Sequence, residues 1–350
     1  MAPTLASVAE DTWAGRTAGA RLLRAALAPA AALYGSVVRV RNALYDSGWL
    51  AAAHVPAEVI SVGNLTVGGT GKTPTALWLA DRLAARGRRV AIVARGYGKQ
   101  RPGVVVVGAR GAALVSAAEG GDEAVMLAHR FAGPVVTAER RADAARVACE
   151  RFGCDTIVLD DGFQHRALAR DADLVLMAPG ATRLLPAGPL REPLAGLRRA
   201  RAVLAVGGDG AWPSLPDAPT GIPAFRGRLR ATALVHAEAG GWREAPLDTL
   251  RGGPVVALAG IARPRRLVRL LEAAGIAVAD VVAFPDHHPY GPADVAALGA
   301  AAARGTLVTT EKDLVKLAAL PGAPAVAAVR VVLEVEDGEA LVERLVQRPG

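Results

Sequence analysis

Six residues in the stretch "SVGNLTVGGTGKTP" (61–74) have the types and spacing to hold phosphate: Gly68, Gly69, Thr70, Gly71, Lys72 and Thr73. An apolar run precedes them and an amphipathic one follows, so they read as a glycine-rich turn between a strand and a helix. In that setting backbone N–H groups turn inward around a phosphate, and the helix N-terminus adds its dipole. Lys72 then reaches the β- and γ-phosphates of a nucleotide, and the Thr73 hydroxyl ligates Mg2+. Pro74 falls in the first helical turn, where a missing N–H costs little. Against the rule Gly-x-x-x-x-Gly-Lys-Ser/Thr there is one departure, Thr66 in place of the first glycine. The bland alternative is a turn that caps a helix without a ligand.

Three further stretches carry candidate groups. "TIVLDDGFQH" is an apolar strand ending in Asp160 and Asp161, where phosphate-loop proteins place the carboxylate that holds Mg2+. Gln164 and His165 follow on the adjoining loop; the competing reading of His165 is structural. In "GGDEAVMLAHR", Asp122 and Glu123 open a helix, either as ordinary N-terminal capping or as a general base at the same sheet edge. In "FPDHHPY", Asp286 and His287 read as a carboxylate–imidazole pair that tunes a proton acceptor; metal binding is the alternative, though no third ligand has helpful spacing.

These groups need a scaffold, and the remaining pattern supplies one. Strands at 58–62, 89–94, 104–107, 134–138, 154–161, 172–179 and 202–208 interleave with helices at 73–86, 123–131 and 139–151. Repeated strand–helix–strand units imply an α/β fold with a mainly parallel, doubly wound sheet and ligands at the carboxyl ends of its strands. A Gly/Pro/Asp-rich tract without period, 207–225, marks a linker, and 225–247 alternates like a hairpin. A second set follows: strands 254–259, 278–284, 306–309 and 327–335, with helices 264–274, 292–303 and 338–347. The expected division is 1–50 as an apolar, basic helical segment, 51–222 as the phosphate-loop domain, 223–253 as a ribbon linker and 254–350 as a smaller α/β domain.

The chain of 350 residues is 52% hydrophobic but only 4% aromatic, so its core must be built from Ala, Val and Leu. A formal charge of +8 favours anionic partners, though high Arg and Ala usage weakens that inference. Cys149 and Cys154 lack a second pair for a metal site and read as buried thiols in a reducing compartment. Glu10 and Asp11 precede the apolar N-terminal part, so an ordinary signal peptide is not expected. The charge-free run from Ala25 to Val38 is too short to span ~30 Å of hydrocarbon, and Pro29 interrupts it. Leu22, Leu23, Ala26 and Leu27 share one helix face with Arg21 and Arg24 at its edge, as on a membrane surface or packed over a core.

Taken in order, "SVGNLTVGGTGKTP", "RGYG", "GDE", "DDGFQH", "LPAGPLRE", "DHH" and "TTEKD" resemble the tetraacyldisaccharide 4'-kinase (lipid A 4'-kinase) family over about residues 13 to 320. Each motif is weak alone; seven in sequence are specific, and Thr66 is normal for that family's loop. The resemblance implies a P-loop NTPase-like α/β fold with a second, smaller α/β domain on a β-ribbon linker and an N-terminal membrane-associated helix. It implies ATP and Mg2+, with Lys72 and Thr73 on the phosphates and metal and Asp160 and Asp161 as the acidic pair. Asp122 becomes the base toward the sugar 4'-hydroxyl and His287 its partner across a cleft, with Glu123, Gln164, His165 and Asp286 around them. Arg141 and Arg191 become binders of anionic groups. The implied substrate is an acylated disaccharide lipid met at the cytoplasmic face of the inner membrane, by a peripheral or monotopic protein without an obligate protein partner. Ala94 before "RGYG" and Leu267 after "GIARP" depart from the family pattern without touching the catalytic set.

Two other functions share parts of this pattern. A switch ATPase acting on protein partners would use the phosphate loop and the membrane helix but has no need of "DHH". A nucleic-acid-binding ATPase would need a basic run interleaved with aromatics, which the sequence lacks, so no nucleic-acid partner is expected.

Overall fold

The computed structural model describes residues 5–178, 180–208, 210–215, 218–238 and 241–347. Three helices come first: α1 (Leu5–Ala14), α2 (Ala18–Ala26) and α3 (Ala28–Asp46). The phosphate-loop half then runs β1 (Glu58–Asn64), α4 (Lys72–Ala85), β2 (Val90–Ala94), β3 (Val105–Ala109), β4 (Ala112–Ala113), α5 (Ala117–Gly120), α6 (Asp122–Arg130), β5 (Val135–Thr137), α7 (Arg141–Phe152), β6 (Thr156–Asp160), β7 (Ala172–Met177) and β8 (Ala202–Gly207). The second half comprises β9 (Ala224–Glu238), β10 (Gly241–Ala245), β11 (Val255–Ala259), α8 (Pro264–Ala273), β12 (Val278–Ala283), α9 (Val295–Ala302), β13 (Thr306–Thr310), α10 (Glu311–Leu317), β14 (Val326–Val335) and α11 (Gly338–Val346).

Among the described residues all fourteen strands join one sheet, in the order β12-β11-β13-β14-β9-β8-β7-β1-β6-β2-β5-β3-β4, with β10 added beside β9. Pairing is parallel except where β3 meets β5 and β4, and where β9 meets β14 and β10. β1 lies between β6 and β7, so its carboxyl end opens at the middle of the phosphate-loop half. Its residues are buried on both faces, as a central parallel strand requires. Ile60 and Val62 pack with α4, α6 and α11 on one face; Val59 packs with α7 on the other.

The fifteen-residue β9 occupies about half of the expected ribbon. Its first part pairs parallel to β8 from Ala224 to Arg228, and its continuation pairs antiparallel to β14 as far as Val235. It is thereby a shared strand of both halves. The N-terminal apolar segment is bent: α2 and α3 meet at 47°, with Pro29 in the first turn of α3. Among the described residues no single helix is long and apolar enough to cross a membrane, although this bent pair has the length and composition to do so. α10 had no counterpart in the sequence reading: seven residues hold too few turns to show a hydrophobic period.

Candidate active site

β1 ends at Asn64 and α4 starts at Lys72, and the loop between them closes through two glycines with positive φ, Gly68 at +102° and Gly71 at +91°. A side chain at Gly71 would also bring its Cβ within 3.2 Å of Val206. Asn64 braces the loop from below: its amide donates to Thr70 Oγ1 at 2.8 Å, and its Oδ1 accepts from Lys72 Nζ at 3.4 Å and from Arg191. Lys72 also stands 3.7 Å from Asp161.

The two acids at the end of β6 differ sharply. Thr73 donates its hydroxyl proton to Asp160 Oδ2 at 2.9 Å, while Asp160 Oδ1 is buried without a hydrogen-bond partner among the described residues. Burial, reinforced by Glu123 and Asp161, pushes the Asp160 carboxyl up to about 7. Asp161, in a left-handed conformation at φ +55°, accepts a forked pair of bonds from Arg191 at 2.8 and 3.2 Å. Burial opposes its ionisation, but the Arg191 bonds and Lys72 win and hold it below the usual carboxylate range. A hydroxyl beside an orphaned, buried carboxylate oxygen is a hard-oxygen set that fits Mg2+.

Across the cleft, α6 and the 284–290 loop bring Asp122 and His287 together, with His287 Nδ1 3.0 Å from Asp122 Oδ2. Asp122 is buried at the N-terminus of α6, and its Oδ1 accepts from the Glu123 N–H at 2.9 Å. Burial would raise its proton affinity, yet the His287 hydrogen bond and nearby cations bring its carboxyl down to about 2. The same bond raises His287 above the usual imidazole value. Lys312 of α10 holds Asp286 at 2.7 Å, and Lys316 lies 3.2 Å from Asp122.

A cavity of about 430 Å³ joins these parts; its walls include the loop from Gly68 to Thr73, Glu123, Asp160, Asp161, Asp286 and His287. Glu123 faces it with its carboxyl raised by burial. A second cavity, about 760 Å³, opens beyond the Asp122–His287 pair and reaches Tyr97, Ser116 and Trp242.

Four expected site residues lie behind this centre. Gln164 donates to Asn64 O at 2.9 Å and to Glu192 at 2.8 Å, so it braces β1. Arg191 clamps Asp161 and Asn64. Arg141 is buried, donating to Glu139 O at 3.0 Å, and feels the fields of Asp161 and Asp160. Burial and four neighbouring arginines lower His165 to about 4, which keeps its ring neutral. Sequence reading passed over Asn64, Glu192, Lys312 and Lys316. The first three lie inside quoted motifs, whereas Lys316 lies three residues past the last one.

The family model described as tetraacyldisaccharide-1-P 4'-kinase matches residues 23–349. A tetraacyldisaccharide 4'-kinase of Anaeromyxobacter dehalogenans strain 2CP-1 is 47% identical over 334 residues, covering 91% of this chain and 86% of that protein. Its counterpart in strain 2CP-C is 48% identical over 319 residues, covering 87% and 82%. The solved structure of LpxK from Aquifex aeolicus in complex with ATP superposes with a TM-score of 0.78 at 35% identity, covering 92% of this chain and 98% of that one.

Proposed function

The chain belongs to the tetraacyldisaccharide-1-P 4'-kinase family, ATP-using kinases of lipid A synthesis, and from that premise we propose how its own residues carry the transfer and where it takes place. The acceptor is the 4'-hydroxyl of a tetraacylated glucosamine disaccharide 1-phosphate, and the protein works at the cytoplasmic membrane face through α2 and α3. The observation that carries the site assignment is the 3.0 Å contact between Asp122 and His287, made from opposite halves of the chain at the rim of the phosphate-loop cavity.

Gly68 to Thr73 cradle the ATP phosphates with inward N–H groups, and Lys72 neutralises charge on the β- and γ-phosphates. Thr73 and Asp160, with Asp161 beside them, would hold Mg2+, which would supply positive charge against the phosphates. Arg191 fixes Asp161 and Asn64 so that neither swings into the phosphate space. As the 4'-oxygen bonds to the γ-phosphorus and the bond to the departing ADP oxygen breaks, the Asp122–His287 pair takes the hydroxyl proton. The larger cavity beyond the pair receives the sugar, bringing its hydroxyl to Asp122 from the side opposite the nucleotide. We assign phosphate handling to residues 51–222 and delivery of His287 to 254–350, with 223–253 as the connection.

Support for the membrane face comes from α3. Ala31, Gly35 and Asn42 are buried on one side, whereas Leu33, Val37 and Val40 are exposed on the other, two residues and therefore about half a turn away. Leu22 and Leu23 on α2 and Trp49 beyond α3 are exposed too, and Arg21, Arg24, Arg39 and Arg41 supply charges for an anionic surface.

Single-turnover transfer from labelled ATP to the acylated disaccharide, with a soluble sugar as control, tests the reading. Lys72→Ala and Asp122→Asn should each lower transfer by about 10²-fold or more, and for Lys72→Ala folding stability should change by only about 1 kcal/mol or less. Near wild-type transfer in both Asp122→Ala and His287→Ala would show that the base lies elsewhere.

A further inference from the structure

The short helix α10 meets both members of the proton-accepting pair. Lys312 and Lys316 lie one helical turn apart on the same face. Lys312 holds Asp286 at 2.7 Å, and Lys316 Nζ is 3.2 Å from Asp122 Oδ2, the oxygen that also faces His287 Nδ1 at 3.0 Å. His287 therefore sits between two carboxylates, with its Nε2 3.9 Å from Asp286, and each carboxylate has its own lysine. Lys316 is largely buried, lies 3.4 Å from Asp313 Oδ1 and stands over the Tyr290 ring at 5.3 Å. Asp313 Oδ2 in turn accepts the Gly260 N–H at 3.0 Å, and Gly260 O accepts the N–H of His287 at 3.2 Å. Through these contacts one helix fixes the carboxylate of Asp122 and the backbone of His287 together.

The charges facing the pair can be enumerated by element. α6 presents Asp122 and Glu123; the 284–290 loop presents Asp286, His287 and Tyr290; α10 presents Lys312, Asp313 and Lys316; and the Tyr97 ring packs on His287 at 4.8 Å. Asp122 needs a positive partner because it is buried. If His287 alone supplied it, the imidazole would carry a proton before the reaction began and have no room for another.

We propose that Lys316 is a positioning residue for the transfer: its ammonium shares the charge of Asp122 with His287, so that a larger fraction of His287 is neutral and able to receive the hydroxyl proton. This rests on the reading of Asp122 and His287 as the proton-accepting pair. Lys316 keeps all its own protons throughout; only the hydroxyl proton moves, ending on the pair. Lys312 touches the nucleotide cavity, whereas Lys316 borders the larger one and not the nucleotide cavity, so its role is separable from ATP binding.

Removing a fixed cation beside the pair makes His287 hold a proton more tightly, so the acid limb of the transfer rate moves to higher pH. The experiment is single-turnover transfer across pH at saturating ATP and Mg2+ for wild type, Lys316→Met, Lys316→Gln and Lys316→Arg, paired with NMR titration of the His287 ring in each protein. In the two neutral variants the limb and the ring titration should both rise by about one pH unit, with transfer near pH 7 falling about tenfold. KM for ATP should stay within about twofold, and Lys316→Arg should bring the limb back. A rate loss that is uniform in pH, or a ring titration unmoved in whichever neutral variant folds, overturns the proposal. Asp122→Asn at wild-type rate would instead overturn the underlying pair assignment, even if the ring titration moved as expected.

Discussion

At Asp122 and His287 two opposed shifts come from one contact, and they define a pH window. Burial works against the Asp122 carboxylate, but the His287 bond overcomes it and the carboxyl falls to about 2. Its stabilisation is therefore present above the unfolded Asp value and disappears as pH drops through about 2. His287 is raised, first by the Asp122 bond, so its contribution is full below the unfolded imidazole value and disappears as pH climbs through the folded one. Both are in force between about pH 4 and 6.5. Urea unfolding of wild type and Asp122→Asn should differ most in that window, by ~1–3 kcal/mol, converge as pH falls toward 2 and narrow above the window as His287 loses its proton; a difference independent of pH would contradict the assignment. The participants themselves were legible in sequence, because acids and histidines at strand ends and helix starts are few. Their partners Lys312 and Lys316 were not, since a lysine on a short helix has no local signature that separates it from a solvated one.

Elements decide whether such residues meet. α4 and α6 announce themselves in sequence by the glycines before them and by their apolar spacing, and β1 and β6 by largely apolar runs. α10 is different: its place is fixed by what it touches. Glu311 at its start is buried and receives Arg130 of α6 at 2.6 Å and Arg330 of β14 at 3.3 Å. Deleting that carboxylate leaves two guanidinium groups without their shared counter-charge. Glu311→Ala should therefore cost about 3 kcal/mol in denaturant unfolding. It should also impair transfer, because α10 carries both lysines of the site. A loss below about 0.5 kcal/mol would mean that the network contributes little to holding α6 and α10 together.

For the whole molecule, continuity through β9 makes the two α/β halves one sheet, so the cleft between them is framed by a shared strand. In the proposed function, the bent α2–α3 pair extends that frame to a lipid surface. Asn42 of α3 donates to the buried Glu192, which accepts from Gln164, and Gln164 donates to Asn64 O at the end of β1. Helix and phosphate loop are thus joined by a chain of four contacting residues, from Asn42 to Asn64. Replacing Leu22, Leu33 and Val37 by Glu should weaken binding to anionic-lipid vesicles by at least about tenfold while leaving ATP binding intact. Co-sedimentation would show this, and unchanged sedimentation would remove α2–α3 as the docking face.

Taken alone, the amino-acid sequence determined the phosphate loop, the acidic pair, the α/β class and, through seven ordered motifs, the family. All of these are local patterns, in which backbone geometry and hydrophobic period are written into neighbouring residues. The tertiary structure decided which groups share a charge. Asp122 and His287 are 165 residues apart in the chain, Arg130 and Glu311 are 181 apart, and nothing in either neighbourhood encodes the other. It also decided that β9 belongs to both halves and that a seven-residue helix brackets the site. Those outcomes depend on burial and on electrostatics at a few ångströms, quantities that exist only once the chain has closed on itself.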